Sequence, residues 1–263
     1  EYENINKRSI LLLSHDMTRT GVPVAVMHMA ELFIELEWNV VYGSLHGGSL
    51  EGDLRERKIA YIDYMDVLAD DSNTREFINS FDLIMAGTVA LGEYIGRLYF
   101  YDKPLVIWIN EKYEKEFDSY PLPCHRSNML YFADGESTID VFHRYYPERK
   151  IEELYYFLPD SELKSKKISD RIRFAFIGTM SQRKAPDLLI RAIDMLPDDL
   201  MLKAEFLFIG KESRDLKIKW EDIRAKHRNI TYIEEVSQSE LRNIFLRIDI
   251  LVCPSKRGSC LMH

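Results

Sequence analysis

The stretch Ile177-Gly178-Thr179-Met180-Ser181-Gln182-Arg183-Lys184-Ala185-Pro186-Asp187-Leu188-Leu189 decides how this chain is built. An apolar run ends in a glycine, a polar loop with two adjacent cations follows, and a helix begins. Arg173–Ile177 reads as the strand. Ala185, Leu188, Leu189, Ala192, Ile193 and Leu196 recur at spacings of three and four and mark one helix face. Strand, loop and helix in that order belong to a βαβ unit, and strands alternating with helices imply a parallel sheet. Ligands of such sheets sit at the carboxyl ends of the strands. Helix N-termini carry unpaired N–H groups and partial positive charge, which attract phosphate. Arg183 and Lys184 lie just before a helix opened by Pro186 at its favoured early position. The loop is either an anion site or a solvated segment with ordinary surface cations, and spacing alone leaves both readings open.

The alternation continues in both directions. Downstream, Glu205–Ile209 is a strand that also ends in glycine, Gly210. Ile230–Ile233 is another strand. Ser237-Gln238-Ser239-Glu240 is a capping box opening a helix with Leu241, Ile244 and Phe245, and Ile248–Cys253 is a strand closed by Pro254. Upstream, strands read at Ser9–Leu13, Asn39–Ser44, Lys58–Tyr61, Asp82–Ala86, Leu105–Ile109 and Met129–Ala133. Helices read at Val22–Glu37, Val89–Phe100 and Thr138–Tyr146. The first of these is apolar almost all round, which implies burial or an interface. Ser161–Asp170 is polar and charged and reads as a linker. The expected fold class is therefore α/β, with two Rossmann-like, doubly wound parallel-sheet domains over residues 1–160 and 171–263, joined by residues 161–170. The second domain has 93 residues, and its last strand ends about ten residues before the chain does. A parallel strand normally feeds a crossover helix, so this domain is expected to be incomplete.

Composition narrows the function classes. The chain has 263 residues, 46% hydrophobic and 30% charged, enough for one large or two medium cores. A net charge of −8 argues against a general nucleic-acid binder but not against a local basic pocket. Cys124, Cys253 and Cys260 are too few and scattered for a disulfide framework or a C-x-x-C metal site, which suits a reducing, cytoplasmic setting. No apolar run approaches the ~20 residues of a membrane span, and no signal peptide is visible. The sequon Asn229-Ile230-Thr231 is discounted for want of a secretory signal.

Four strand ends carry candidate chemistry. Gly178, Thr179, Arg183 and Lys184 form the first. Val252-Cys253-Pro254-Ser255-Lys256-Arg257-Gly258 is the second, either a ligand edge or a capped strand end. Ser14-His15-Asp16-Met17-Thr18-Arg19-Thr20-Gly21 occupies the first βα turn without the G-x-G-x-x-G fingerprint. Gly21 there permits close backbone approach to a ligand. His15 beside Asp16 is either a proton-transfer pair or a hydrogen-bonded turn. Trp108-Ile109-Asn110-Glu111 is the fourth, with Glu111 either a ligand for a sugar hydroxyl or a surface carboxylate in the charged run to Glu116. The aromatic clusters Tyr99-Phe100-Tyr101, Tyr145-Tyr146 and Tyr155-Tyr156-Phe157 read first as packing.

Together these segments resemble the GT-B glycosyltransferases of family 4, the glycosyl transferases group 1 set. "FIGTMSQRKAPDLLIRAIDMLP" resembles the family's strand–glycine–loop–Lys–helix segment, and "FLFIG" and "NITYIEEVSQSELRNIFLRIDILVCPS" follow in the family's order. "LLLSHDMTRTGVPVAVMHMAELF" resembles the N-terminal loop and first helix of members with Ser-His-Asp and Gly-x-Pro. "PLVIWINEKYE" resembles a segment that often reads Trp-x-His-Glu. The likeness covers nearly the whole chain and is firmest in its second half.

The resemblance implies transfer of a sugar from a UDP- or GDP-linked donor to a glycan or lipid-linked acceptor, typically with retention. The donor is expected mostly on the C-terminal domain and the acceptor on the N-terminal one. Stabilising the departing diphosphate is the main task, and cations and helix N-termini do it without a metal or other cofactor. Lys184 matches the family's phosphate lysine. Thr179 stands where an arginine is usual, so Arg183 is the substitute. Gly21 matches a glycine facing the donor phosphates. His15, Asn110 and Glu111 are the catalytic candidates, and Gly21, Gly178, Thr179, Arg183, Lys184 and Ser255 the donor-binding ones.

Three departures temper this. The first glutamate of the family's E-x7-E pair should fall near Gly258, the second would lie beyond His263, and the family's histidine before the glutamate is Asn110. They leave a second reading, a non-catalytic GT-B homologue serving as a binding or partner module. A sugar-nucleotide epimerase of the same fold is a third, which the Pro-Ser strand end fits less well. The acceptors of such enzymes leave peripheral contact with the inner membrane face open, although no basic amphipathic helix demands it.

Overall fold

The computed structural model describes residues 7–65, 71–156 and 170–256. The chain divides into two compact units, Glu1–Asp160 and Ser161–His263.

In the first unit the strands are β1 (Ser9–Ser14), β2 (Asn39–Ser44), β3 (Ala60–Ile62), β4 (Leu83–Ala86), β5 (Leu105–Ile109), β6 (Met129–Ala133) and β7 (Glu152–Glu153). The helices are α1 (Gly21–Glu35), α2 (Glu51–Glu56), α3 (Ser72–Asn79), α4 (Gly92–Leu98), α5 (Glu114–Ser119) and α6 (Glu136–Tyr145). The sheet order is β3-β2-β1-β4-β5-β6-β7, with every pairing parallel. Strand order reverses between β1 and β4, which opens a crevice at their carboxyl ends. β1 is a continuous apolar run because both of its faces are covered. Ile10 and Leu12 join Met27 and Ala30 of α1 in one core, and Leu11 and Leu13 join Ile84 and Ile107 in the other.

Two sequence expectations change here. α1 is buried over Pro23–Ala30 but emerges afterwards, leaving Ile34 and Leu36 exposed. The chain there turns back toward β2, with Phe33 edge-on to Trp38 at 5.2 Å. The helix read at Val89–Phe100 is a 3₁₀ turn, Val89–Leu91, followed by α4. Thr88 causes the tight start, since its Oγ1 accepts from Ala90 N at 3.0 Å.

The second unit has β8 (Ile172–Ile177), β9 (Ala204–Ile209), β10 (Ile230–Ile233) and β11 (Ile250–Leu251), with α7 (Pro186–Asp194), α8 (Asp198–Met201), α9 (Trp220–Lys226) and α10 (Gln238–Phe245). Its parallel sheet runs β10-β9-β8-β11. Phe174 stacks on Phe206 and Phe176 on Phe208 under Ile193 and Trp220. Ala175, Ile177 and Ile209 pack on the other face with Leu241 and Ile244. The capping box forms as read, Ser237 Oγ accepting from Glu240 N. The sequon asparagine is a structural tie, Asn229 Nδ2 donating to Met201 O and Ala204 O. Nearly all of the expected linker, and also Gly258 and Cys260, lie outside the described residues.

Candidate functional site

In the second unit, β8 and β9 end in glycines with positive φ, Gly178 at 141° and Gly210 at 143°. A Cβ on Gly210 would lie 1.9 Å from Gly178 O, so the two backbones pass where no side chain fits. The loop beyond Gly178 then runs beside the extension of β9. Met180 N donates to Lys211 O at 2.9 Å, and Ser213 N and Oγ both donate to Met180 O at 3.0 Å. Ser181 closes the loop, its Oγ accepting from Lys184 N at 3.2 Å and its carbonyl from Ala185 N at 2.8 Å. Ala185 is fully buried at φ 52°, a conformation that costs an L-residue roughly 1–2 kcal/mol. Tertiary contacts impose that turn, and Pro186 then opens α7 without a capping side chain.

The two motif loops read in this unit are brought together. Lys256 N donates to Arg183 O at 3.0 Å, and Val252 N to Ala175 O at 2.7 Å. Lys184 is half-buried and its ammonium has no ion-pair partner among the described residues, while Arg183 is exposed. Burial first, and then Arg183, hold the Lys184 ammonium below the usual lysine range, with Cys253 opposing. A lysine in this state gains from an arriving anion. Thr179 and Ser255 are half-buried on the same two loops. Cys253, unforeseen as a neighbour, is the residue that the β11 edge sets beside Lys184.

In the first unit, the candidates lie at the carboxyl ends of β1 and β5, on either side of β4. His15 Nε2 is 3.5 Å from Asp16 Oδ2. Burial holds the imidazole below its usual range, against the pull of Asp16. Asp16 also forms the alternative reading, a turn, with Oδ1 accepting from Thr18 N at 3.0 Å and Thr18 Oγ1 at 2.8 Å. Gly21 is not among the glycines with positive φ, so the turn there does not call on glycine's conformational freedom. Asn110 is buried, and its Nδ2 donates to Gly87 O at 3.0 Å and Trp108 O at 3.3 Å. That pins the amide and leaves Oδ1 buried with no partner among the described residues. Glu111 is not a surface carboxylate of the charged run. It accepts from Thr88 Oγ1, from Val89 N at 3.3 Å and from Asn110 N at 3.0 Å. Burial raises its pKa and the Thr88 bond opposes the rise. With about four acceptor positions on a carboxylate, three donors leave Glu111 little spare capacity.

Sequence reasoning missed Thr88, and it missed Asp134, whose carboxylate is 3.2 Å from Lys112 Nζ and accepts from Thr138. A signal existed for the latter, because Asp134-Gly135 follows an apolar run just as Gly178 does. Among the described residues no cluster of three or more His, Cys, Asp or Glu is placed to hold a metal. None of their helices is long and apolar enough to cross a membrane.

Two parallel-sheet units, each with polar loops and glycines at its strand ends, are the GT-B architecture of sugar transferases. The profile of Glycosyl-transferase family 4 matches residues 6–179 and that of Glycosyl transferases group 1 matches residues 160–260. The chain belongs to glycosyl-transferase family 4. Among solved structures it is similar to Anabaena HepE (Alr3699) in complex with UDP-glucose, at a TM-score of 0.71 and 12% identity. That match covers 95% of this chain and 74% of that one. It is also similar to a glycosyltransferase from Rickettsia africae, at 0.61 and 12%, covering 97% and 74%. WaaG, a glycosyltransferase involved in lipopolysaccharide biosynthesis, gives 0.60 and 11%, covering 96% and 76%. At these identities the likeness is one of fold. No curated protein matches the chain.

Proposed function

We propose that the chain transfers a sugar from a UDP- or GDP-linked donor to a glycan or lipid-linked acceptor, with retention at the anomeric carbon. The observation that carries this is Lys184, a half-buried ammonium without an ion-pair partner among the described residues, held on a loop that is bonded to the end of β11. Arg183 adds a second cation. As the bond from the anomeric carbon to the diphosphate breaks, charge builds on the departing oxygen, and fixed cations stabilise that state more than the ground state. The acceptor oxygen bonds to the same carbon, and its proton leaves with the diphosphate. The UDP-glucose named for HepE supports a nucleotide-sugar donor. Work in surface polysaccharide synthesis, at the inner face of a membrane, enters this reading from family resemblance alone.

Calorimetry with UDP and GDP tests the donor site. Lys184→Ala is expected to weaken binding by about 10-fold or more, the loss of one charge-assisted bond. Equal affinity in parent and variant would sink the assignment.

A second reading, nucleotide binding without transfer, is favoured by Asn110, whose amide does not act as an acid or base in the physiological range, where the family has histidine. It predicts UDP binding but neither donor hydrolysis nor transfer from any common sugar nucleotide.

A further inference from the structure

In the second sheet β8 lies between β9 and β11, so the loop that follows it has a neighbour on each flank. On the β11 flank Lys256 N reaches Arg183 O. On the β9 flank the connection between β9 and α9 holds the loop, and its bonds converge on Asp215. Asp215 Oδ2 accepts from Gln182 N at 3.3 Å, and the Asp215 carbonyl accepts from Gln182 Nε2 at 2.9 Å. Gln182 is thus bound through both its main chain and its side chain, just ahead of Lys184. The other carboxylate oxygen, Oδ1, meets Ser213 Oγ. A hydroxyl carries one proton, so Ser213 Oγ serves either Asp215 or Met180 O, while Ser213 N stays on Met180 O. The Ser213 bond holds the Asp215 carboxyl below the usual carboxylate range, and Gln182 N adds to the effect. The loop therefore favours the charged form of a side chain that stands exposed. Burial, Arg183 and Cys253 set the state of the Lys184 ammonium, so Asp215 acts on it through the loop and not as a nearby charge.

We propose that Asp215 is a positioning residue: by binding Gln182 and Ser213 it keeps residues 180–184 folded against the end of β9, which leaves Lys184 half-buried and ready for the donor's diphosphate, without touching the ligand. The proposal rests on the donor reading above. Charge alone predicts the opposite sign, since taking a carboxylate away from an anion-binding loop would tighten binding.

The test compares Asp215→Ala, Asp215→Asn and Asp199→Ala in the full chain, by NMR titration of the Lys184 ammonium and by calorimetry with UDP and GDP. Loss of the signal in Lys184→Arg assigns it. In Asp215→Ala the loop is released and the ammonium gains water, so its titration is expected to move up toward the ordinary lysine range. The UDP dissociation constant is expected to rise about 5-fold, the loss of roughly one hydrogen bond. Asp215→Asn can still accept from Gln182 N and can donate to Ser213 Oγ, so it is expected to recover most of both readouts. Asp199→Ala removes the same charge from α8 and is expected to change neither. An unmoved Lys184 titration in Asp215→Ala would overturn the proposal, and so would unchanged or tighter UDP binding. Equal losses in Asp215→Asn and Asp215→Ala, or any loss in Asp199→Ala, would make charge the operative property and overturn it too. If the parent binds neither UDP nor GDP, the donor reading fails, and the Lys184 titration alone then upholds or overturns the clamp.

Discussion

Lys184 shows how a single side chain links burial to ligand binding. Its ammonium is held below the ordinary value of 10.5 because burial and Arg183 penalise the charge. A diphosphate binds the charged form, so UDP affinity is expected to follow the protonation of Lys184. It should fall as pH rises through the lowered value, before an ordinary lysine would titrate. The ligand-free chain behaves in the opposite sense. Its folded state disfavours the ammonium, so stability rises as Lys184 deprotonates in the window between the lowered and ordinary values. Calorimetry across that window checks the first sign, and Lys184→Arg, charged throughout, should remove the dependence. A pH-independent affinity in the parent would place Lys184 away from the diphosphate. This loop was legible in the sequence because glycine, adjacent cations and proline are local signals. Thr88 was not, because its role depends on Glu111, 23 residues away in the chain.

Strand ends carry the same lesson for elements. Both glycines that close β8 and β9 were visible as apolar runs stopping at glycine. The structure adds the reason, a backbone crossing with 1.9 Å between a notional Gly210 Cβ and Gly178 O. Gly210→Ala therefore meets a steric overlap and a φ of 143° together. The two terms suggest a loss of about 3 kcal/mol or more, read as a lower denaturation midpoint and weaker UDP binding. Gly96→Ala is the matched control. Gly96 lies inside α4 with open space around its missing Cβ, and alanine there should stabilise by about 0.5–1 kcal/mol. If both variants unfold alike, the crossing does not govern the loop. Every strand but β7, and the helices α1, α4, α6, α7 and α10, were legible because their apolar periodicity spans the element. The helices α2, α3, α5, α8 and α9, of four to eight residues, were not, since so few apolar positions define no period.

For the whole molecule, the net charge of −8 conceals a division. Glu1–Asp160 carries 15 Lys and Arg against 28 Asp and Glu, whereas Ser161–His263 carries 20 against 15. The acidic total argued against a general nucleic-acid binder in the sequence reading, yet it said nothing of where an anion would go. Once the chain is divided, the Lys184 loop falls in the cationic unit. The sign of the salt effect on nucleotide binding then decides which charge the ligand meets. If the whole chain governed, a diphosphate would be repelled, and added salt would screen the repulsion and tighten binding. If the loop and its unit govern, added salt screens an attraction. Screening acts over about 10 Å at 0.1 M ionic strength, a length comparable to a binding loop. UDP affinity is accordingly expected to fall several-fold between low and high salt despite the acidic net charge. The loss should be smaller in Lys184→Ala, which has one cation fewer to screen. Titrations at a series of salt concentrations measure both slopes, and affinity that rises with salt in the parent would remove the cationic loop from the binding site.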